Sequence, residues 1–150
     1  MKRFKFRLDP VIRYRQYLER IARIELARDK QALIESKNRI REIKQARRNT
    51  ARELDREQAQ GIEVDRYRVF TGYLQGLLHE IESESERLVE IGVRIRQKQE
   101  AVKAETIKKK TLEWLKQTEY NKYLEWINRA EQKAADDLSG LRRKSVSSRQ

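Results

Sequence analysis

The sequence predicts an all-α fold: an antiparallel two-helix coiled-coil hairpin with an overhanging C-terminal helix. Three observations lead there. Every seventh residue from Tyr67 to Val102 is apolar or aromatic (Tyr67, Leu74, Ile81, Leu88, Ile95, Val102), and the companion series Phe70, Leu77, Glu84, Ile91, Lys98 completes an a/d seam. Turn formers are scarce, with 5 Gly and 1 Pro among 150 residues. Charged residues make up 40% and aromatics 7%, a balance that suits long solvated helices better than a compact globule. Such charge would also permit disorder, but heptads sustained over this length argue against it for most of the chain. The charged members Glu84 and Lys98 leave the seam patchy, so it requires a partner helix.

The elements follow in order. Residues 1–9 form an extended N-terminal segment in which Phe4, Phe6 and Leu8 alternate with basic residues. Asp9 is an expected N-cap, and Pro10 suits the first helical position because its missing N–H is not needed there. Helix 1 is expected over about 10–58. Its seam reads Leu26, Leu33, Ile40, Leu54, with Arg47 interrupting and Ala22 and Ile43 as companions. Val11 and Leu18 stand a heptad apart nearer the N-terminus. The steps Leu18–Ala22–Leu26 span eight residues where seven were due, so the supercoil should relax there. Gly61 is the natural helix stop, within a bend at about 59–64, and Asp65 is the expected N-cap of helix 2. Helix 2 is expected over about 65–138, ending near Gly140, with residues 142–150 as a basic disordered tail.

A bend at Gly61 sets residue i opposite about residue 122 − i, so Pro10 faces about Leu112. At ~1.5 Å per residue, helix 1 extends ~75 Å and helix 2 ~110 Å, leaving roughly 25–30 residues overhanging. Phe4, Phe6 and Leu8 are placed to cover the first turns of that overhang. The stripe there weakens at Lys108–Lys110 and resumes as Leu112, Leu115, Tyr120, Tyr123, Leu124, Ile127, Ala134 and Leu138, in the same region as Trp114 and Trp126. An apolar stripe without an intramolecular partner suggests a docking face; self-association or fraying are the blander alternatives.

The net charge of +12 is uneven. Residues 1–60 hold 18 Lys/Arg against 9 Asp/Glu, residues 61–100 hold 6 against 8, and residues 101–150 hold 12 against 7. Folding at the middle brings the two basic segments together, away from a slightly acidic bend.

Several classes of chemistry are disfavoured. Cys is absent, so no disulfide framework or thiolate metal site forms. No apolar run approaches the length of a membrane span, and the basic N-terminus lacks the apolar stretch of a signal peptide. A cytoplasmic protein is expected. His79 is the single histidine and reads as a solvated one. The glycines fit no phosphate loop. Glu80, Glu82, Glu84 and Glu86 alternate, which on a helix spreads them around the surface. No enzyme activity, cofactor or metal is expected. Gly72 and Gly76 lie four apart outside the seam; they read either as a thin face admitting a partner or as tolerated destabilisation. The positive charge invites nucleic-acid binding, but acids are mixed throughout and no base-reading motif occurs.

The N-terminal pattern Phe4-x-Phe6-x-Leu8-x-x-Val11-x-x-x-Arg15, opening a long helix, resembles the flagellar export protein FliJ family. So does the Gly61-Ile62 bend followed by Tyr67, Phe70, Tyr73, Leu74 and Leu77. The resemblance spans nearly the whole chain. It implies a non-enzymatic component of the flagellar type III export apparatus, similar to the central stalk of rotary ATPases. The implied partners are the hexameric export ATPase, whose assembly and activity such proteins promote, the cytoplasmic domain of the export-gate membrane protein, and export chaperones, which they help to cycle. The implied location is cytoplasmic, peripheral at the cytoplasmic face of the membrane export apparatus.

On the family's gate-binding face, Ile43, Tyr73 and Leu77 match its apolar members, whereas Ala46, Thr50, Glu80 and Glu84 depart from the pattern. Phe4, Phe6, Trp114, Tyr120, Tyr123 and Trp126 are the expected contacts to the ATPase ring. The alternatives are a stalk protein of a virulence-type secretion ATPase, a nucleic-acid-binding basic helical hairpin, and a passive self-associating coiled coil.

Overall fold

The computed structural model describes residues 3–147, with side chains described through Ser139. Those residues form two helices, α1 (Asp9–Gln60) and α2 (Val64–Ser147), and no strand. Both starts differ slightly from expectation. The Leu8 carbonyl accepts from the Ile12 N–H at 3.0 Å, which makes Leu8 and not Asp9 the capping residue. Pro10 becomes the second helical residue, where its N–H is still not needed. The Asp9 carboxylate pairs instead with Lys116 Nζ at 2.7 Å. Likewise the Glu63 carbonyl accepts from Tyr67 N–H at 2.9 Å, so Glu63 caps α2. Asp65 sits in the first turn, where its charge suits the positive end of the helix dipole, and pairs with Arg68 at 3.8 Å.

The bend is the three residues Gly61–Glu63. Gly61 has φ +86°, the left-handed conformation that ends a helix, and its N–H donates to the Gln58 carbonyl at 3.3 Å. Gly140, by contrast, does not end α2, which continues to Ser147. A helical Gly costs only about 1 kcal/mol relative to Ala, and the helix formers Leu141, Arg142, Arg143 and Lys144 follow it. Residues 142–147, expected in a disordered tail, are therefore helical, and 148–150 lie outside the described residues.

The chain divides into two compact units. In one of them, Arg20–Ala104, α1 and α2 pack antiparallel around the bend. Leu77, Ile91 and Ile95 on α2 are buried, as are Ile43 and Leu54 on α1. Burying such side chains stabilises by about 1.5–3 kcal/mol each. Phe70, Leu74, Ile81, Leu88 and Val102 are half-buried, as are Ala22, Leu26, Leu33 and Ile40. Arg47 stays exposed, and Ala46 takes the seam position beside it. Tyr67, expected to open the seam, is exposed; the register sets it opposite Arg56 and Glu57, which offer no apolar surface.

Ion pairs fix that register. Arg39–Glu80 (3.7 Å), Asp29–Arg94 (3.4 Å), Glu25–Lys98 and Glu57–Arg66 join residues whose numbers add to between 119 and 123, against the 122 expected. Lys98 thus leaves the seam by reaching a carboxylate on the facing helix. Ser36 is the polar exception: it is buried, and its Oγ has no hydrogen-bond partner among the described residues.

The other unit combines Met1–Glu19 with Glu105–Gln150. Ile12 and Phe6 are buried here. Val11, expected on the seam, is exposed, because the seam runs Ile12, Arg15, Glu19 and one residue of offset turns a side chain by about 100°. This unit holds a polar layer. Glu19 is buried, accepts from Thr106 Oγ1 at 2.8 Å, and pairs with Lys109 Nζ at 2.7 Å. One turn away, Arg15 pairs with Glu105 at 3.5 Å and Lys108 with Glu105 at 2.8 Å. The Lys108 hydrogen bond, aided by the charges of Lys108 and Arg15, outweighs desolvation and holds the Glu105 carboxyl below its ordinary value.

Candidate docking surfaces

The extended segment before α1 ends against α2. The Phe4 ring meets Tyr120 edge-on at 5.2 Å between centroids and Tyr123 at 5.4 Å. Tyr123 in turn lies 6.4 Å from Tyr120 and 6.4 Å from Trp126, the latter pair stacked. The spacing Tyr120–Tyr123–Trp126 is i, i+3, i+6, so the rings climb one side of α2, and Phe4 closes the lower end. Such ring pairs contribute about 0.5–1.5 kcal/mol beyond their buried area. Trp126 is 63% exposed, so the cluster presents an aromatic edge to solvent. A cleft beside it is lined by Phe4, Ile12, Gln16 and Tyr120.

Of the six residues expected to contact a ring ATPase, four therefore form one cluster: Phe4, Tyr120, Tyr123 and Trp126. Phe6 does not belong to the surface: it is buried, and among the described residues the ring of this segment that meets Tyr120 and Tyr123 is Phe4. Trp114 is 69% exposed but stands nine residues before Tyr123, about half a turn around α2.

At the bend, Ile43 and Leu77 are buried in the seam and offer almost no surface, whereas Tyr73 is exposed. Ile43 and Leu77 hold the helices that display Tyr73. The expectation that all three present apolar contacts is corrected accordingly: seam packing claims two of them. Val69, one turn before Tyr73, is 72% exposed and extends its apolar surface, a contribution the heptad reading passed over because Val69 lies off the seam. Gly72 and Gly76 lie on the same side, with open space where a Cβ would stand. Of the departures from the family's face, Ala46 and Thr50 are half-buried, Glu80 is exposed and paired with Arg39, and Glu84 is half-buried beside Arg87.

Among the described residues, no group of His, Asp or Glu is arranged to hold a metal ion, and no helix is long and apolar enough to cross a membrane. The polar layer at Glu19 went unread in the sequence. Its only signal was the run of two four-residue steps at Leu18–Ala22–Leu26, which marks where seam periodicity fails but does not say which polar residues enter.

Two antiparallel helices around one patchy seam, with aromatic rings and positive charge left outside it, define an α-helical coiled-coil protein. The model for the family described as "Flagellar FliJ protein" matches residues 4–145. The chain belongs to that family and is a coiled-coil protein associated with type III protein export. It is also similar to a solved structure described as a YscO homolog, CT670 from Chlamydia trachomatis. That likeness has 14% identity and a TM-score of 0.46, covering 99% of this chain and 100% of the other. No curated protein sequence matches the chain closely enough to add to the assignment.

Proposed function

We propose that the chain is a non-enzymatic stalk and adaptor that docks on the hexameric export ATPase through the Phe4–Tyr120–Tyr123–Trp126 cluster. The observation that carries this reading is the cluster itself: Phe4, Tyr120 and Tyr123 in mutual contact, built from two separate segments, with Trp126 stacked on Tyr123 and left open. Aromatic anchors of this kind dominate the energetics of protein interfaces. Positive charge surrounds it. The unit carrying it holds 17 Lys/Arg against 9 Asp/Glu, which speeds encounter with an acidic ring while the apolar rings hold the complex. Binding that favours the assembled ring over free subunits promotes activity without any catalytic group on the stalk.

In the same reading, Tyr73 and Val69 near the bend contact the cytoplasmic domain of the export gate, with Ile43 and Leu77 supporting them from the seam. Export chaperones are further partners. The protein acts in the cytoplasm, at the cytoplasmic face of the export apparatus. The test is the hydrolysis rate of the purified export ATPase with the full chain and with Tyr123→Ala and Trp126→Ala variants, helicity being checked by circular dichroism. Each variant should remain helical and lose most of the stimulation. Full stimulation by a helical double variant would move the ATPase contact elsewhere.

A further inference from the structure

The back of α2, opposite its contact with α1, carries a second heptad seam. Ile107, Thr111, Trp114 and Thr118 are spaced by steps of four, three and four, the d-a-d-a spacing of a coiled coil. Trp114 lies two positions from both Leu112 and Lys116, which are half-buried on the side facing the N-terminal segments. At about 100° per residue it points away from them. Ile107 is 56% exposed and Trp114 69%. The threonines suit such a seam. Thr111 Oγ1 donates to the Ile107 carbonyl and Thr118 Oγ1 to the Trp114 carbonyl, both at 2.9 Å. Their donors are spent inside the helix, so a partner covering them desolvates no unpaired hydroxyl hydrogen.

Charge selects the occupant. Lys110, one turn before Trp114, and Lys122, one turn after Thr118, are exposed and make no ion pair among the described residues. Between Ile107 and Thr118 no acid stands on this face, and beyond Thr118 the first one, Glu125, pairs with Arg129 at 3.7 Å. A second copy of this chain would set two strongly basic units side by side, each with 17 Lys/Arg against 9 Asp/Glu, and like charges at that distance oppose docking. We infer that this seam binds an amphipathic helix of another protein, with an apolar heptad stripe flanked by acidic residues. The site is distinct from the aromatic cluster, so the two can be occupied together.

The experiment uses the full chain carrying Trp126→Phe, which leaves Trp114 as the one indole. The probe is a synthetic three-heptad helical peptide with Leu at its a and d positions and Glu at e and g; the control carries Lys at e and g. Trp114 emission should shift to the blue with the Glu peptide, and the Lys peptide should bind at least about tenfold more weakly. With a labelled peptide read by anisotropy, Trp114→Ala and Ile107→Glu should each weaken binding about tenfold or more, whereas Tyr123→Ala should leave it unchanged. Absence of the shift, equal binding of the two peptides, or equal loss in Tyr123→Ala would overturn the inference. A blue shift that grows with protein concentration alone would make a second copy the occupant and overturn it as well. Stimulation of the ATPase by Tyr123→Ala is a separate readout, so failure of the ring contact and failure of this seam are told apart.

Discussion

Replacing Glu19 by Ala should destabilise the fold more than its place on a charged helix would suggest. Glu19 is buried at 5% exposure, and its carboxylate receives both Thr106 Oγ1 at 2.8 Å and Lys109 Nζ at 2.7 Å. Removing it leaves Lys109 beside a small cavity with its nearby counter-charge gone. Losing one partner of a fully buried pair costs about 3–5 kcal/mol. The Lys109 side chain keeps 21% of its exposure, so water recovers part of that, and about 1.5–3 kcal/mol is expected for Glu19→Ala. For a chain of this length that is a fall in Tm of roughly 3–12 °C. The double variant Glu19→Leu, Lys109→Met replaces both charges by apolar groups of similar volume. It should recover stability to within about 1 kcal/mol of the parent, because desolvating the pair offsets much of its attraction. Urea titrations followed by circular dichroism on the parent, Glu19→Leu, Lys109→Met and the double variant give the coupling directly. If Glu19→Ala unfolds at the parent's midpoint, Glu19 is not a buried counter-charge and the layer is a surface feature.

Other outcomes follow from the same structure. Ser36→Ala should raise Tm by a few degrees, since the buried Oγ without a partner costs about 1–3 kcal/mol and the substitution removes it at little loss of packing. Gly61→Ala should destabilise by about 1–2 kcal/mol because φ is +86°, whereas Gly72→Ala and Gly76→Ala should each stabilise by about 0.5–1 kcal/mol, their Cβ positions being open; denaturant midpoints distinguish the two signs. Glu105 titrates below its ordinary value of 4.5 in the folded chain, so its contribution is complete above that pH and is lost as pH falls through the lowered value. Glu105→Gln should therefore flatten the acid limb of a stability–pH profile and leave its slope near neutrality unchanged.

The heptads of α2 were readable in the sequence because a seam buried against one partner leaves a periodic trace. Leu74, Leu77, Ile81, Leu88, Ile91, Ile95 and Val102 all lie on the seam they spell out. Gly61 was equally legible, since a left-handed residue between two long periodic segments has one reading. The register followed from the bend alone. The aromatic content of the overhang was visible as composition, but composition could not divide it. Only the packing of Phe4 onto Tyr120 and Tyr123 decided that four rings form one cluster, that Phe6 turns inward, and that Trp114 stands about half a turn away. The same holds for Ile43 and Leu77, whose apolar character suits a seam and a docking face equally until a facing helix claims them. Glu19 and Ser36 were hidden for the converse reason. A polar residue near a break in periodicity reads as solvated, and only a facing Thr106 and Lys109 make burial of Glu19 affordable, while Ser36 is covered by the closely packed helices without any such partner. Periodicity is a property of one helix and is written in the chain. Which polar side chains are enclosed, and which apolar ones remain open, depends on what stands across from them, and that is decided in three dimensions.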